Sequence, residues 1–172
     1  TFTNGIFAKG LKNWGTVDGS AASKYAKVTT GEDGKKFITF TTDKEYTGLC
    51  SRPFLIKDAK QGEKYAVMAS YKGNVVNDFQ LIIDGINQKG TTRATGAVTV
   101  FKSSEENGWN VAASSQKAVL GELMPADNPN NRFGENYAFV VKIVAIKKTS
   151  TAQFTDIKVV KVLEDGSYTE LD

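Results

Sequence analysis

The sequence predicts an all-β chain, an antiparallel sandwich or barrel, on three observations. Apolar residues recur with a period of two along most of its length. Turn signals rich in Gly, Asn and Asp interrupt that alternation at short intervals. Helical patterning is thin throughout. Together these imply about nine to eleven short strands.

Lys35 to Thr42 reads K-K-F-I-T-F-T-T, a run of β-branched and aromatic residues edged by Gly34 and Asp43. From Glu63 to Tyr71, the residues Tyr65, Val67, Ala69 and Tyr71 fall on one face. From Asp78 to Asp84, Phe79, Leu81 and Ile83 face one way, and Gln80, Ile82 and Asp84 the other. Further strands fit Ala97 to Lys102, Trp109 to Ala113, Asn136 to Lys147 and Ala152 to Leu163. Ala138 to Ile146 is nearly all apolar, the pattern of a central strand covered on both faces. Asp18-Gly19, Asp33-Gly34, Gly73-Asn74, Asp84-Gly85, Asn107-Gly108 and Asp165-Gly166 supply residues that tolerate positive φ in the turns. Ser114 to Met124 allows a turn or two of helix, limited by Gly121 and Pro125. Pro125 to Glu135, P-A-D-N-P-N-N-R-F-G-E, reads as an exposed loop. With no internal repeat or linker, residues 1–172 form one expected domain, long enough to bury a core without disulfide or metal staples.

Composition narrows the chemistry. The chain has no His and one Cys, Cys50, so Ser-His-Asp and Cys-His catalysis, imidazole zinc sites and intrachain disulfides are excluded. Lys and Arg total 22 against 19 Asp and Glu; a formal charge of +3 is too small to point to nucleic acid. Lys35-Lys36 and Lys147-Lys148 are short and isolated, and protection of strand ends and edges accounts for them. No apolar run approaches the roughly 18 residues of a membrane span. The opening Thr1-Phe2-Thr3-Asn4-Gly5 lacks an initiator Met, a basic region and an apolar region, which reads as a mature product or a domain excised from something longer.

Both ends of the chain carry a recognisable pattern. Asn4-Gly5-Ile6-Phe7, then Gly10-Leu11 and Asn13-Trp14, resembles the opening of carbohydrate-binding modules of the family 4/9/22 type. Ala152 to Val159, A-Q-F-T-D-I-K-V, is similar to their last strand, Lys64 to Tyr71 to their central strand, and Gly108-Trp109 to their later Trp. The resemblance implies a jelly roll of two antiparallel sheets without catalytic residues. It further implies a module that attaches a larger protein to a polysaccharide or glycan, outside the cell or on a virion. The same jelly roll also occurs in phage tail and head fibres. A structural or receptor-adhesion domain of a phage or bacterial surface fibre is therefore the competing expectation.

Sugar recognition requires exposed aromatic faces and side chains with paired donors and acceptors. The candidates are Tyr46, Arg52, Tyr71, Lys72, Asn77, Gln80, Arg93 and Trp109, led by Gln80 and Arg93. Gln80 lies opposite the Phe79/Leu81/Ile83 face, and Trp109 follows a turn. Trp14 and Trp109 have a core reading as well, since an indole buries a large area and needs one acceptor. Asn128 to Phe133 is a second possible patch, with Phe133 either exposed or folded under the loop. Adjacent Glu105 and Glu106 point to opposite faces of a strand, and Asp43 with Glu45 lies in a polar turn, so neither pair suits glycoside hydrolysis. Cys50 reads as a small buried hydrophobe.

Many modules of the resembled type hold a structural calcium between an acidic residue just after the opening aromatic and the Asp of the last strand. Here Asp156 matches the latter, but Ala8 follows Phe7. The expectation is weak calcium binding or none, with no other cofactor. A sugar site with few free aromatics should bind at roughly micromolar to millimolar Kd, with little dependence on salt.

Overall fold

The computed structural model describes residues 2–57, 64–73, 78–86, 93–99, 110–111, 121–122, 138–148 and 150–171. They include strands β1 (Trp14–Thr16), β2 (Ala26–Thr30), β3 (Lys36–Thr42), β4 (Thr47–Ser51), β5 (Lys64–Gly73) and β6 (Phe79–Ile86). They are followed by β7 (Arg93–Thr99), β8 (Asn110–Val111), β9 (Gly121–Glu122), β10 (Ala138–Ala145), β11 (Ser150–Val162) and β12 (Tyr168–Glu170). One sheet has five strands in the order β1-β4-β10-β6-β7; the other has seven, β2-β3-β11-β5-β8, with β12 beside β11 and β9 beside β5. Every pairing among the described residues is antiparallel. The protein is an antiparallel β-sandwich of the jelly-roll kind.

Among the described residues there are twelve strands, against the expected nine to eleven. The short β1, β9 and β12 carry too few residues for alternation to register, and the pairing partner alone makes them strands, whereas β8 falls within the expected Trp109 to Ala113. Gly121 and Glu122, inside the stretch read as a possible helical turn, form β9; the rest of that stretch lies outside the described residues. The loop 125–135 and the pair Glu105–Glu106 also lie outside them. No helix among the described residues is long and apolar enough to cross a membrane.

The sheets meet through the alternating residues. Phe79, Leu81 and Ile83 of β6 and Tyr65, Val67, Ala69 and Tyr71 of β5 all point into one core. At its centre Phe79 lies 5.4 Å from Phe40 of β3 and 5.4 Å from Phe154 of β11, edge-on to both. These rings belong to opposite sheets, so each contact also holds the layers together, adding about 0.5–1.5 kcal/mol beyond area burial. The residues of β10 are nearly all buried, on both faces, as its apolar run requires.

A β-bulge interrupts β11. Thr155 pairs with Ser70 and Lys158 with Met68, so Asp156 and Ile157 together oppose Ala69 alone. The inward positions consequently change from Ala152 and Phe154 to Ile157 and Val159. Beyond the bulge the outward residues Val160 and Val162 build a second small cluster with Ala66, Met68 and Tyr168.

The N-terminal segment docks on this bulge. The Ile157 amide donates to the Gly5 carbonyl at 3.0 Å, and a Cβ on residue 5 would overlap the Ile157 carbonyl oxygen, so only glycine fits. Asn4, at φ 63°, donates from Nδ2 to the carbonyls of Gly10 and Lys12 and accepts at Oδ1 from the Lys9 amide. Its own carbonyl accepts the Trp14 indole N–H at 3.2 Å. Trp14 is 8% exposed and lies in the core, against Phe7 and Phe2. β1 belongs to the five-stranded sheet and β12 to the other.

Cys50 departs from expectation. It is half-exposed on the outward side of β4, because inward-pointing Leu49 takes the core position beside it.

Asp18 in the Asp18-Gly19 turn accepts from Thr16 Oγ1 at 2.6 Å, the Ser20 amide at 3.0 Å and the Tyr25 hydroxyl at 3.2 Å. The Thr16 hydrogen bond, then those from Ser20, hold its carboxyl well below the usual carboxylate range. Its contribution is therefore complete above about pH 4 and declines as pH falls further. Asp18→Asn should remove that part of the acid dependence, seen as a shallower loss of melting temperature between about pH 4 and 2. For the core, Phe79→Ala should cost about 3–5 kcal/mol, read as a lower urea midpoint with unchanged m.

Candidate functional site

Strand alternation leaves Gln80, Ile82 and Asp84 of β6 beside Val140, Lys142 and Val144 of β10, on the side of the five-stranded sheet turned away from the core. In register, Gln80 stands opposite Val144, Ile82 opposite Lys142, and Asp84 opposite Val140. On the other flank Lys142 pairs with Cys50. Lys142 Nζ donates to Asp84 Oδ2 at 2.7 Å, diagonally across the two strands. The two side chains are 6% and 11% exposed. Removing two charges from water costs several kcal/mol per ion, offset only by good geometry and mutual attraction. Hydrophobic side chains would pack this position at least as well, and the pair lies buried beside the half-buried Gln80 amide.

A second feature occupies the outward side of the seven-stranded sheet. A cavity of about 950 Å³ opens between the N-terminal segment, the turn before β3 and the β11 bulge. Ser70 and Lys72 of β5, Thr155 and Asp156 of β11, Phe37 of β3 and Ile6 are among its lining residues. Thr155 Oγ1 donates to the Lys36 carbonyl at 2.7 Å, fixing the turn to β11. Asp156 is exposed, with φ 51° at the bulge.

The resemblance places a calcium here, and the described residues do not fit one. No three His, Cys, Asp or Glu side chains among them converge on a point. Lys36 Nζ reaches the Ala8 carbonyl at 3.4 Å, so an ammonium occupies the neighbourhood where the family pattern has an acid. A fixed positive charge opposes a hard divalent cation that needs six to eight oxygens. Asp156 is thus a cavity residue, with no convergent group of three His, Cys, Asp or Glu side chains around it among the described residues.

The other candidates separate in space. Tyr46 is 69% exposed in the β3–β4 turn, at φ 54°. Arg52 is exposed beside a small cleft with Phe2, Asn13 and Phe54, and its amide donates to the Asn13 carbonyl. Tyr71 needs correction: it is 1% exposed and points into the core with Tyr65 and Val67, so its ring offers no face to a sugar. Lys72, its neighbour on β5, points outward into the cavity. Arg93 begins β7, paired with Ile86, while Gln80 sits near the other end of β6. Asn77, Trp109 and the patch 128–133 lie outside the described residues. The fold therefore brings Lys72 and Asp156 to one cavity and leaves Gln80 on the other sheet. Sequence reasoning passed over Lys142, although a lone cation within A-F-V-V-K-I-V-A signals a buried charge needing a partner. It also passed over Ser70, Thr155 and Phe37, which only the pairing of β3, β5 and β11 assembles.

No protein-family profile and no curated protein sequence matches the chain. Its fold is similar to that of several solved structures. A family 61 carbohydrate-binding module, TmCBM61, solved in complex with β-1,4-galactotriose, is 12% identical; the likeness covers 93% of this chain and 97% of the module at a TM-score of 0.52. Tailspike protein 4 of bacteriophage CBA120, its enzymatically active domain, is 13% identical with a TM-score of 0.57, over 94% of this chain and 21% of that one. The arabinose-bound α-L-arabinofuranosidase MgGH51 is 12% identical with a TM-score of 0.53, over 93% and 25%. The chain thus spans about the whole of a separate binding module and a quarter or less of the two longer proteins. At these identities the shared property is the sandwich itself.

The Asp84–Lys142 pair yields a double-mutant prediction. Asp84→Asn and Lys142→Met should each destabilise by roughly 3–5 kcal/mol, because each leaves a buried charge alone. The double variant Asp84→Leu with Lys142→Met should recover most of that loss in urea unfolding.

Proposed function

We propose that the chain is a single non-catalytic carbohydrate-binding domain that attaches a larger protein to a glycan, outside the cell or on a virion. The observation that carries this reading is the Asp84–Lys142 pair beside Gln80 on the outward face of the five-stranded sheet. The half-buried Gln80 amide, which carries both a donor and an acceptor, matches the neighbouring hydroxyls of a sugar ring, and the buried ion pair beside it ties together the two strands that hold it. Ile82, half-buried between Gln80 and Asp84, adds an apolar surface for ring C–H groups. The sandwich shared with TmCBM61, over nearly the full length of both chains, supports the same reading. So do the segments Asn4-Gly5 to Trp14 and Ala152 to Val159, which resemble motifs of the family 4/9/22 type and here form the N-terminal dock and part of the bulged strand.

A second reading has an observation of its own. The likeness to a phage tailspike over 94% of this chain supports a domain of a phage or bacterial surface fibre. In that case the domain would contact a protein or virion partner in place of a sugar.

Calorimetric titration with neutral galacto-, xylo- and cello-oligosaccharides tests the choice. Binding is expected in the micromolar to millimolar range, roughly −4 to −8 kcal/mol, and nearly unchanged between low and high salt. Gln80→Ala should weaken it by about 1 kcal/mol, roughly five-fold in Kd, without changing the fold. Failure of every sugar, with retained binding of a protein or virion partner, would move the assignment to the fibre reading.

A further inference from the structure

We propose that the cavity over the β11 bulge is a second glycan-binding site, on the opposite sheet from Gln80, and that the domain is bivalent for neutral oligosaccharides. This inference rests on the sugar-binding reading and adds a site to it. At about 950 Å³ the cavity lies at the upper end of the roughly 300–1,000 Å³ range of small-ligand clefts.

Its chemistry selects the ligand class. Lys35, Lys36 and Lys72 are matched by Glu32, Asp33 and Asp156, so the lining carries both signs and no net charge. An anionic ligand meets as many carboxylates as ammoniums, and a cation the converse, whereas a neutral polyol finds a donor or an acceptor for each hydroxyl. Several of these groups are already engaged: Lys36 with the Ala8 carbonyl, Thr155 with the Lys36 carbonyl, and Asp33 with the Lys35 amide. Ser70, Lys72 and Glu32 make no side-chain hydrogen bond or ion pair among the described residues. Ser70 and Lys72 are half-buried on adjacent outward positions of β5, where Ser70 stands opposite Thr155 and Lys72 opposite Gln153. A donor pair thus stands at the cavity floor, with Phe37 half-buried and Ile6 57% exposed as apolar surface. The bulge supplies the remaining element. Asp156 holds φ 51°, an uncommon conformation for a residue with a side chain, and so projects out of the strand as a cavity acceptor.

The test is a ¹H–¹⁵N NMR titration of the folded chain with xylo-, cello- and galacto-oligosaccharides, repeated on Lys72→Ala, Asp156→Asn and Gln80→Ala. The expected result is two groups of shifting amides, one at Gln80, Ile82 and Lys142 and one at Ser70, Lys72, Thr155 and Asp156. Lys72→Ala should weaken the second at least ten-fold and leave the first unchanged, whereas Gln80→Ala should weaken the first roughly five-fold and leave the second unchanged. Shifts confined to the Gln80 group would overturn the second site and leave the sugar-binding reading intact. Shifts confined to the Ser70 group would support the cavity and remove the site from the five-stranded sheet. Tighter binding of galacturonic acid oligomers than of neutral ones, at the Ser70 group, would overturn the neutral-ligand assignment. No shift with any sugar would overturn both readings.

Discussion

At Asp156–Ile157 strand β11 has two residues where β5 has only Ala69, and much of the structure is arranged around that excess. Without the bulge, a strand that buries Phe154 would turn Ile157 and Val159 to solvent, because inward positions recur every second residue. The extra residue restores both to the core. The same irregularity opens the backbone at Ile157 to the Gly5 carbonyl, so the N-terminal segment closes the sandwich there. It also turns Asp156 outward, at the rim of the cavity. Packing, chain closure and one face's chemistry thus share a single local event.

The two outward faces differ in how they treat polar groups. On the five-stranded sheet Asp84 and Lys142 are nearly removed from water and satisfy each other at 2.7 Å. On the seven-stranded sheet the charges stay largely exposed and are distributed around a cavity. A buried pair has a fixed geometry and is intolerant of losing either partner, whereas exposed charges are screened and adaptable. A sugar site at the first would be selective and small; one at the second would be broader and more tolerant.

The N-terminal motif shows how a sequence resemblance acquires physical content. Asn4 is the knot of residues 4–14: its side chain ties three backbone groups and its carbonyl holds the Trp14 indole. Gly5 lies where no Cβ fits. Asn13 donates to Thr3 Oγ1 at 2.7 Å, and its carbonyl accepts the Arg52 amide. Asn-Gly and Asn-Trp at this spacing therefore mark a folded segment, not a ligand contact, and Trp14 serves the core.

Local sequence determined the fold class and the facing of β5 and β6. Alternation in Glu63–Tyr71 and Asp78–Asp84 predicts the inward sets Tyr65/Val67/Ala69/Tyr71 and Phe79/Leu81/Ile83, since side-chain direction in a strand depends only on the neighbours along the chain. That reasoning placed Gln80 outward, yet it set Tyr71 both on the apolar face and among the sugar contacts; the core claimed it, because a phenol ring in register with Tyr65 has nowhere else to point. Tertiary structure alone decided which strands neighbour one another, and with it the meeting of Asp84 with Lys142, 58 residues apart, and of Ser70 with Thr155. These groups are brought together by hydrogen-bonded pairing of distant segments, whose register is set by the packing of both faces at once, and no local period records it.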